Sequence, residues 1–308
     1  MEKRSLPVDT VDDYRHVRRR LIMTEIKVQP KFRPLVWGNW KINELFNVQS
    51  ELPIGEVWLL SGHQLYETTM ENGKTINEYG TSIYDGKYPK FPLLIKLVST
   101  NQWLSVQVHP DDAFARQIEH EPWGKSEAWY FLEDGEFAIC EDVETMKELI
   151  AQDRLSQLKD ILTFVKVKKG TFVYIPAGTV HALGPNSTVI EVQQTSDLTY
   201  RIYDWGRPRE VHLNKALQVS RQVRISDIVF EHINCLKTPY FTMQILDKSN
   251  RDDTISNLKE SKLHISIPTE LSANFSASVI EAEEGESTQE LSRFLKEDFP
   301  SILVYNFI

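Results

Sequence analysis

A chain of 308 residues, 41% hydrophobic and with a formal charge of −9, can bury one large core or two modest ones. Its acidic balance excludes nucleic acid as a general partner, because phosphate binding leaves a basic footprint, and an anionic small substrate would need a locally basic pocket. There is no run of about 18 apolar residues, and the opening "MEKRSLPVDTVDDYRHVRRR" has no apolar signal core, so neither membrane insertion nor secretion is expected and the cytoplasm is the simplest address.

Residues 1–25 read as a charged extension in which "DDYRHVRRRLI" could form a short helix with solvated arginines. From Ile26 to about Ser99, β-like segments such as "EVWLLSG" and "LLIKLV" alternate with turn-rich pieces, "RPLVWGNW" and "YDGKYPKFP" among them. "SVQVHPDD" follows, then a short helix in "PDDAFARQIEH" with its start signal at Pro110 and Asp111 or Asp112. A helical insertion is expected near 141–162, where Met146, Leu149, Ile150, Leu155, Leu158, Ile161 and Leu162 recur at core-facing helical spacing. Strands resume in "TFVKV", "TFVYIP" and "TVIEVQQ", and "VHLNKALQVS" reads as helix. Weaker β patterns in "YFTMQIL", "KLHISI", "NFSASVIEA" and "SILVYNFI" predict a second, smaller β domain over 230–308, after a main domain over 26–229. Cys140 and Cys235, the two cysteines, lack metal or redox spacing and read as buried structural residues in a reducing compartment.

Three stretches carry chemistry. In "SVQVHPDD", period two puts Gln107 and His109 on one face and Val106 and Val108 on the other. In "GTFVYIPAGTVH" a strand ends at Pro176, Gly178 permits a tight turn, and His181 is delivered at the start of the next strand. In "GKSEAWYFLEDGE", Lys125 and Glu127 share a strand face that Trp129 and Phe131 continue. Taken singly, His181 could be a hydrogen-bonded core histidine, Glu127 a surface charge and Gln107 an ordinary strand residue. Together, two imidazoles, a carboxylate and an amide oxygen make a site for one divalent ion of the zinc class with an open position for water or substrate.

"FPLLIKLVSTNQWLSVQVHPDD", "GKSEAWY", "GTFVYIPAGTVHALG" and "IEVQQTSDLTYRIYDWGR", with "RPLVWGNW" and "IGEVWLLSGH" upstream, resemble the type I mannose-6-phosphate isomerases in their short bacterial form, over roughly Lys31 to Val219. The resemblance implies a mainly β fold: a jelly-roll barrel of the cupin type with short helical insertions. It implies a zinc-dependent aldose–ketose isomerase that interconverts mannose 6-phosphate and fructose 6-phosphate through a cis-enediol, as a monomer or homodimer acting on a sugar phosphate. Its metal ligands fall on Gln107, His109, Glu127 and His181, the set already reached by spacing. Its catalytic arginine falls on Arg201 and its active-site glutamate on Glu191, the leading candidate for the base because a carboxylate in a largely apolar barrel can have its proton affinity raised toward the working pH; its lysines match Lys96 and Lys125, and Arg207 joins the substrate cations. Arg201 is expected on a returning strand beside Glu191. Lys96 lies in the apolar run "PLLIKLV", where a charge without a task would be costly. Long-form relatives read H-K-P-E around the second lysine where this chain has Gly124 and Ser126, so a histidine acid/base is not offered there, and beyond about Phe230 no family motif is matched. Two other readings compete. One is a sugar-phosphate-binding module with metal but no turnover, against which Glu191 and Arg201 speak. The other is an iron-dependent oxygenase, against which Gln107 and the cationic set speak.

Overall fold

The computed structural model describes residues 25–247, 250, 263–281 and 300–307. The expected N-terminal helix lies outside the described residues. Two sheets form the centre. The larger contains, in spatial order, the strands Val229–Phe230, Phe172–Ile175, Glu127–Phe131, Thr188–Gln194, Leu93–Ser99, Ile54–Ser61 and Lys31–Pro34. The smaller contains Tyr200–Tyr203, Val106–Val108, His181–Leu183, Gly135–Ile139 and Thr163–Val167. All the pairings are antiparallel, as hairpin-rich, short-strand sequence requires. The fold is the mainly β class expected.

Alternation decides which side chains enter the space between the sheets. Val98, Trp129, Phe131, Val173, Ile175 and Val189 from the larger sheet meet Phe137, Ile139, Val167 and Leu183 from the smaller. The intervening positions on the larger sheet, including Ile95, Leu97, Ala128, Tyr130, Phe172, Ile190 and Val192, face outward onto a third sheet. On the smaller sheet, Val106, Val108, Ala138, Ala182, Tyr200 and Ile202 face outward under the helical segments Val143–Ala151, Leu155–Asp160 and Leu213–Val219. The helical insertion is therefore a lid over the smaller sheet, with Met146, Leu158 and Leu162 buried against it.

The third sheet has the order Cys235–Lys237, Thr242–Leu246, Ser301–Tyr305, Leu263–Pro268, Ser278–Glu281, Glu25–Gln29, Thr69–Met70. The C-terminal strands thus share their sheet with the first described strand, Ile26 pairing with Val279, and with a piece from the loop before Ile76. Their apolar faces (Met243, Ile265, Val279, Val304) join one core with Val57, Ile95 and Ile190. Cys140 is buried as expected; Cys235 is only half-buried, because it sits on the edge strand. Among the described residues no helix is long and apolar enough to cross a membrane.

Candidate metal centre and active site

Toward one end of the space between the sheets the lining changes from apolar to charged. His109, Glu127 and His181 offer ligand atoms that all lie within 4.8 Å of one another, and the three residues are at most 1% exposed. Glu127 begins the strand Glu127–Phe131 of the larger sheet, while His181 begins His181–Leu183 of the smaller, so the site spans both. The turn before His181 requires Gly178, whose φ is +93° and whose added Cβ would stand 2.9 Å from the Val219 carbonyl. The Gly178 N–H donates to the His109 carbonyl at 2.9 Å, which ties the two histidine segments together.

Each imidazole is held in the tautomer a ligand needs. His109 Nδ1 is 3.0 Å from the Leu198 carbonyl and His181 Nδ1 is 2.9 Å from the Thr179 carbonyl. A carbonyl can only accept, so Nδ1 carries the proton in both rings and each Nε2 keeps its lone pair. Those lone pairs point at one carboxylate: His109 Nε2 is 3.5 Å from Glu127 Oε2 and His181 Nε2 is 3.4 Å from Oε1. His181 Nε2 is buried without a hydrogen-bond partner. An orphaned buried nitrogen beside a carboxylate and a second oriented imidazole fits a divalent cation. Lys125 Nζ stands 2.8 Å from Glu127 Oε2 as an ion pair outside hydrogen-bond geometry, and 3.3 Å from His109 Nε2. Burial, followed by the Lys125 ammonium, pushes the His109 imidazole down to about 3. For Glu127, burial favours the acid, but Lys125 and His109 outweigh it and hold the carboxyl well below its ordinary range.

Gln107 faces His181 directly across the sheet ladder and faces Arg201 on its other side. These three side chains therefore form one row, with Gln107 half-buried and its Oε1 accepting from Ser105 Oγ at 3.2 Å. The opposite wall carries a second row, Trp58, Lys96, Glu191 and Trp129, by successive cross-strand pairing. Lys96 Nζ donates to Glu191 Oε1 at 2.9 Å, and Trp129 Nε1 donates to Glu191 Oε2 at 3.2 Å. The Trp129 ring in turn packs edge-on against His181 at 5.5 Å, joining this row to the candidate ligands. Burial would lower the Lys96 ammonium, yet the carboxylates of Glu191 and Glu56 keep it above its ordinary value. The expected picture of Glu191 as a carboxylate among apolar neighbours needs correcting, since both of its oxygens are engaged by polar donors.

Arg201 also differs from expectation. The chain crosses from the larger to the smaller sheet after Gln194, so Arg201 lies opposite Gln107 and not on a strand next to Glu191. Its Nη1 donates to the Glu210 carbonyl at 2.6 Å, and its buried Nε has no partner. Arg207 is bound by Asp204 at 2.7 Å and by the Trp103 carbonyl at 2.7 Å. Arg209 completes the group, donating to both oxygens of the nearly buried Asp204 at 2.5 and 2.7 Å. Burial and the charges of Arg209 and Arg207 push the Arg201 guanidinium below its ordinary value. Two guanidiniums on one carboxylate, with Arg201 close enough to feel their charge, leave local positive charge inside an acidic protein.

Sequence reading missed Glu56, Arg209 and His63, whose Nε2 lies 3.5 Å from Asp197 Oδ1. Glu56 accepts from Trp58 Nε1 at 2.7 Å and from Arg33 at 3.1 Å, and its Oε1 stands 4.0 Å from Lys96. The signal for Glu56 was present, because it alternates with Trp58 in "GEVWLLSG". Gly124 is more than a missing histidine: a Cβ there would lie 2.3 Å from the Pro110 carbonyl, so no side chain fits.

The low value for His109 has a consequence for stability in chelator-treated protein. The unfolded imidazole takes a proton near 6.5 and the folded one only near 3. Between those values the unfolded state binds more protons, so stability is present above 6.5 and is lost as pH falls. Unfolding free energies from urea titrations at pH 6.5 and 5.0 are expected to differ by on the order of 1–2 kcal/mol, from about 1.4 kcal/mol per unit at most. His109→Gln should flatten that slope; an equal slope in the variant would assign it to other groups.

Residues 26–148 match the family described as phosphomannose isomerase type I, catalytic domain. The chain is 34% identical over 233 residues to the Bacillus subtilis protein named "Probable mannose-6-phosphate isomerase GmuF", covering 69% of this chain and 70% of that one. A mannose-6-phosphate isomerase of Streptococcus mutans is 34% identical over 212 residues, which cover 62% of this chain and 66% of the relative. The crystal structure of the mannose 6-phosphate isomerase from Bacillus subtilis superposes with a TM-score of 0.69 at 23% identity, over 92% of this chain and 99% of that one. The match in sequence runs through the segments that carry Lys96, His109 and Glu127, and the match in fold extends over nearly the whole of both chains, so this chain belongs to the type I phosphomannose isomerase family.

Proposed function

We propose that the space between the two sheets interconverts mannose 6-phosphate and fructose 6-phosphate by moving one proton between C2 and C1 through a cis-enediol. The observation that carries this reading is the meeting of two oriented imidazole lone pairs and a carboxylate with the Glu191–Lys96 pair, linked by Trp129. His109, Glu127 and His181, with Gln107 as fourth donor, would hold a zinc ion. When bound, that ion supplies a Lewis acid for the carbonyl and hydroxyl oxygens of the substrate.

The chain's own residues do the rest. Glu191 takes the proton from C2 of the open-chain aldose, O1 being protonated as the enediol forms, and returns it to C1 as O2 gives up its hydroxyl proton and becomes the carbonyl, so that one proton moves from C2 to C1 and one from O2 to O1. Lys96 keeps that carboxylate in place and is itself steadied by Glu56. Lys125 balances charge beside the developing enediolate, and Arg201 and Arg207, with Arg209 behind them, give the dianionic phosphate its counter-charge. Buried walls of Trp58, Trp129 and Phe137 exclude water from the intermediate. Unpaired cysteines suit a cytoplasmic address.

A coupled assay with mannose 6-phosphate tests the assignment, run beside unphosphorylated mannose. Turnover of the phosphate ester is expected, with kcat/KM for the free sugar lower by on the order of a hundredfold or more, the scale of two charge-assisted contacts. Equal kcat/KM for both sugars would overturn the role given to the arginines.

A further inference from the structure

The two candidate ligand histidines differ in how their orientation is secured. His181 donates to Thr179, two residues earlier, inside a turn that Thr179 Oγ1 closes on the Pro176 carbonyl at 2.7 Å. His109 depends on the Leu198 carbonyl, 89 residues away, with the Thr199 hydroxyl a longer 3.4 Å from the same nitrogen, both in the segment that carries the chain from one sheet to the other. No strand ladder fixes a crossing segment, so something else must hold the Leu198 carbonyl in place.

Gln193 is the residue that does so. It is fully buried on the inner face of Thr188–Gln194, directly across from Glu127. Its Nε2 donates to the Gln194 carbonyl at 3.0 Å and to the Ser196 carbonyl at 2.6 Å. Ser196, 2% exposed, passes the constraint on, because its Oγ accepts from the Leu198 N–H at 3.3 Å. The Thr195 N–H to the Pro92 carbonyl, 2.9 Å, anchors the near end, and the buried His63 stands 3.5 Å from Asp197. Gln193 Oε1 is left with no partner. A buried amide that forgoes one acceptor costs stability and is retained here for its two donors.

We propose that Gln193 is a positioning residue for the metal centre: through Ser196 it fixes the Leu198 carbonyl, which holds the proton on His109 Nδ1 and leaves Nε2 free to ligate. The inference rests on the metal reading of the site, but half of its test does not. Outer partners of a metal-bound imidazole typically contribute about 10- to 100-fold in affinity. Gln193→Met keeps the volume and removes both donors; Ser196→Ala removes the relay alone.

Two measurements decide. In metal-free protein, imidazole ¹⁵N NMR distinguishes Nδ1–H from Nε2–H. In both variants His109 is expected to populate the Nε2–H tautomer while His181, held by its own turn, stays Nδ1–H. Zinc affinity, by competition with a chromophoric chelator, is expected to fall by about tenfold or more. An unchanged His109 tautomer, or one that changes together with His181, overturns the proposal. Should Gln193→Met fail to fold, Ser196→Ala decides by the same readouts. Wild-type protein that binds no zinc would sink the metal reading, while the tautomer shift would still judge the role of Gln193.

Discussion

Alanine at position 181 is expected to yield folded protein that has lost its bound zinc and at least about a thousandfold in kcat. His181 is fully buried, and its Nε2 has no partner other than the nearby Glu127 carboxylate. Deleting one of only two imidazoles must weaken the site by more than the 10- to 100-fold that follows loss of an outer partner. Lewis-acid stabilisation is worth several kcal/mol, and about 1.4 kcal/mol is a factor of ten in rate, which sets the kinetic figure. Zinc per chain by mass spectrometry, kcat and melting temperature should be taken on one preparation. Full zinc occupancy in His181→Ala would remove this histidine from the ligand set.

Glu191→Gln should keep the metal and lose kcat. The side chain touches none of the three candidate ligand atoms, its oxygens being engaged by Lys96 and Trp129, so zinc content is expected to match wild type. A positioned general base contributes about 10²- to 10⁴-fold, and the amide cannot take a proton. Turnover in heavy water gives the second signature. Wild-type product should carry deuterium at C1 or C2, because a proton resting on a carboxylate exchanges with solvent for part of its lifetime. If Glu191 serves only as the counter-ion of Lys96, the amide oxygen of Gln still accepts from the ammonium and kcat stays within about tenfold. Absence of any solvent label over many wild-type turnovers would point away from every protein base.

Much of this was legible in the residues themselves. Period-two alternation put Lys125, Glu127, Trp129 and Phe131 on one face, and that face lines the space between the sheets. The P-x-G-x2-H turn delivered His181 to the start of a strand as its glycine demands. These are local constraints: a pleat and a positive φ act within a few residues, so the sequence alone determined them. It also determined that a charge at Lys96, in an apolar run, would be costly without a task.

What only the tertiary structure decided is which faces meet. Alternation reports the side on which a residue stands but not the strand beside it, so the row His181–Gln107–Arg201 and the removal of Arg201 from the Glu191 row depended on the crossing after Gln194. The pairing of Ile26 with Val279 joins segments some 250 residues apart and puts the first described strand in the C-terminal sheet, a contact that no local pattern encodes. The same holds for Arg207 and Arg209 on Asp204 and for Glu56 beside Lys96. It holds most of all for His109: its sequence supplies a ligand, but a distant carbonyl, itself held by a buried amide, decides which nitrogen is free to bind.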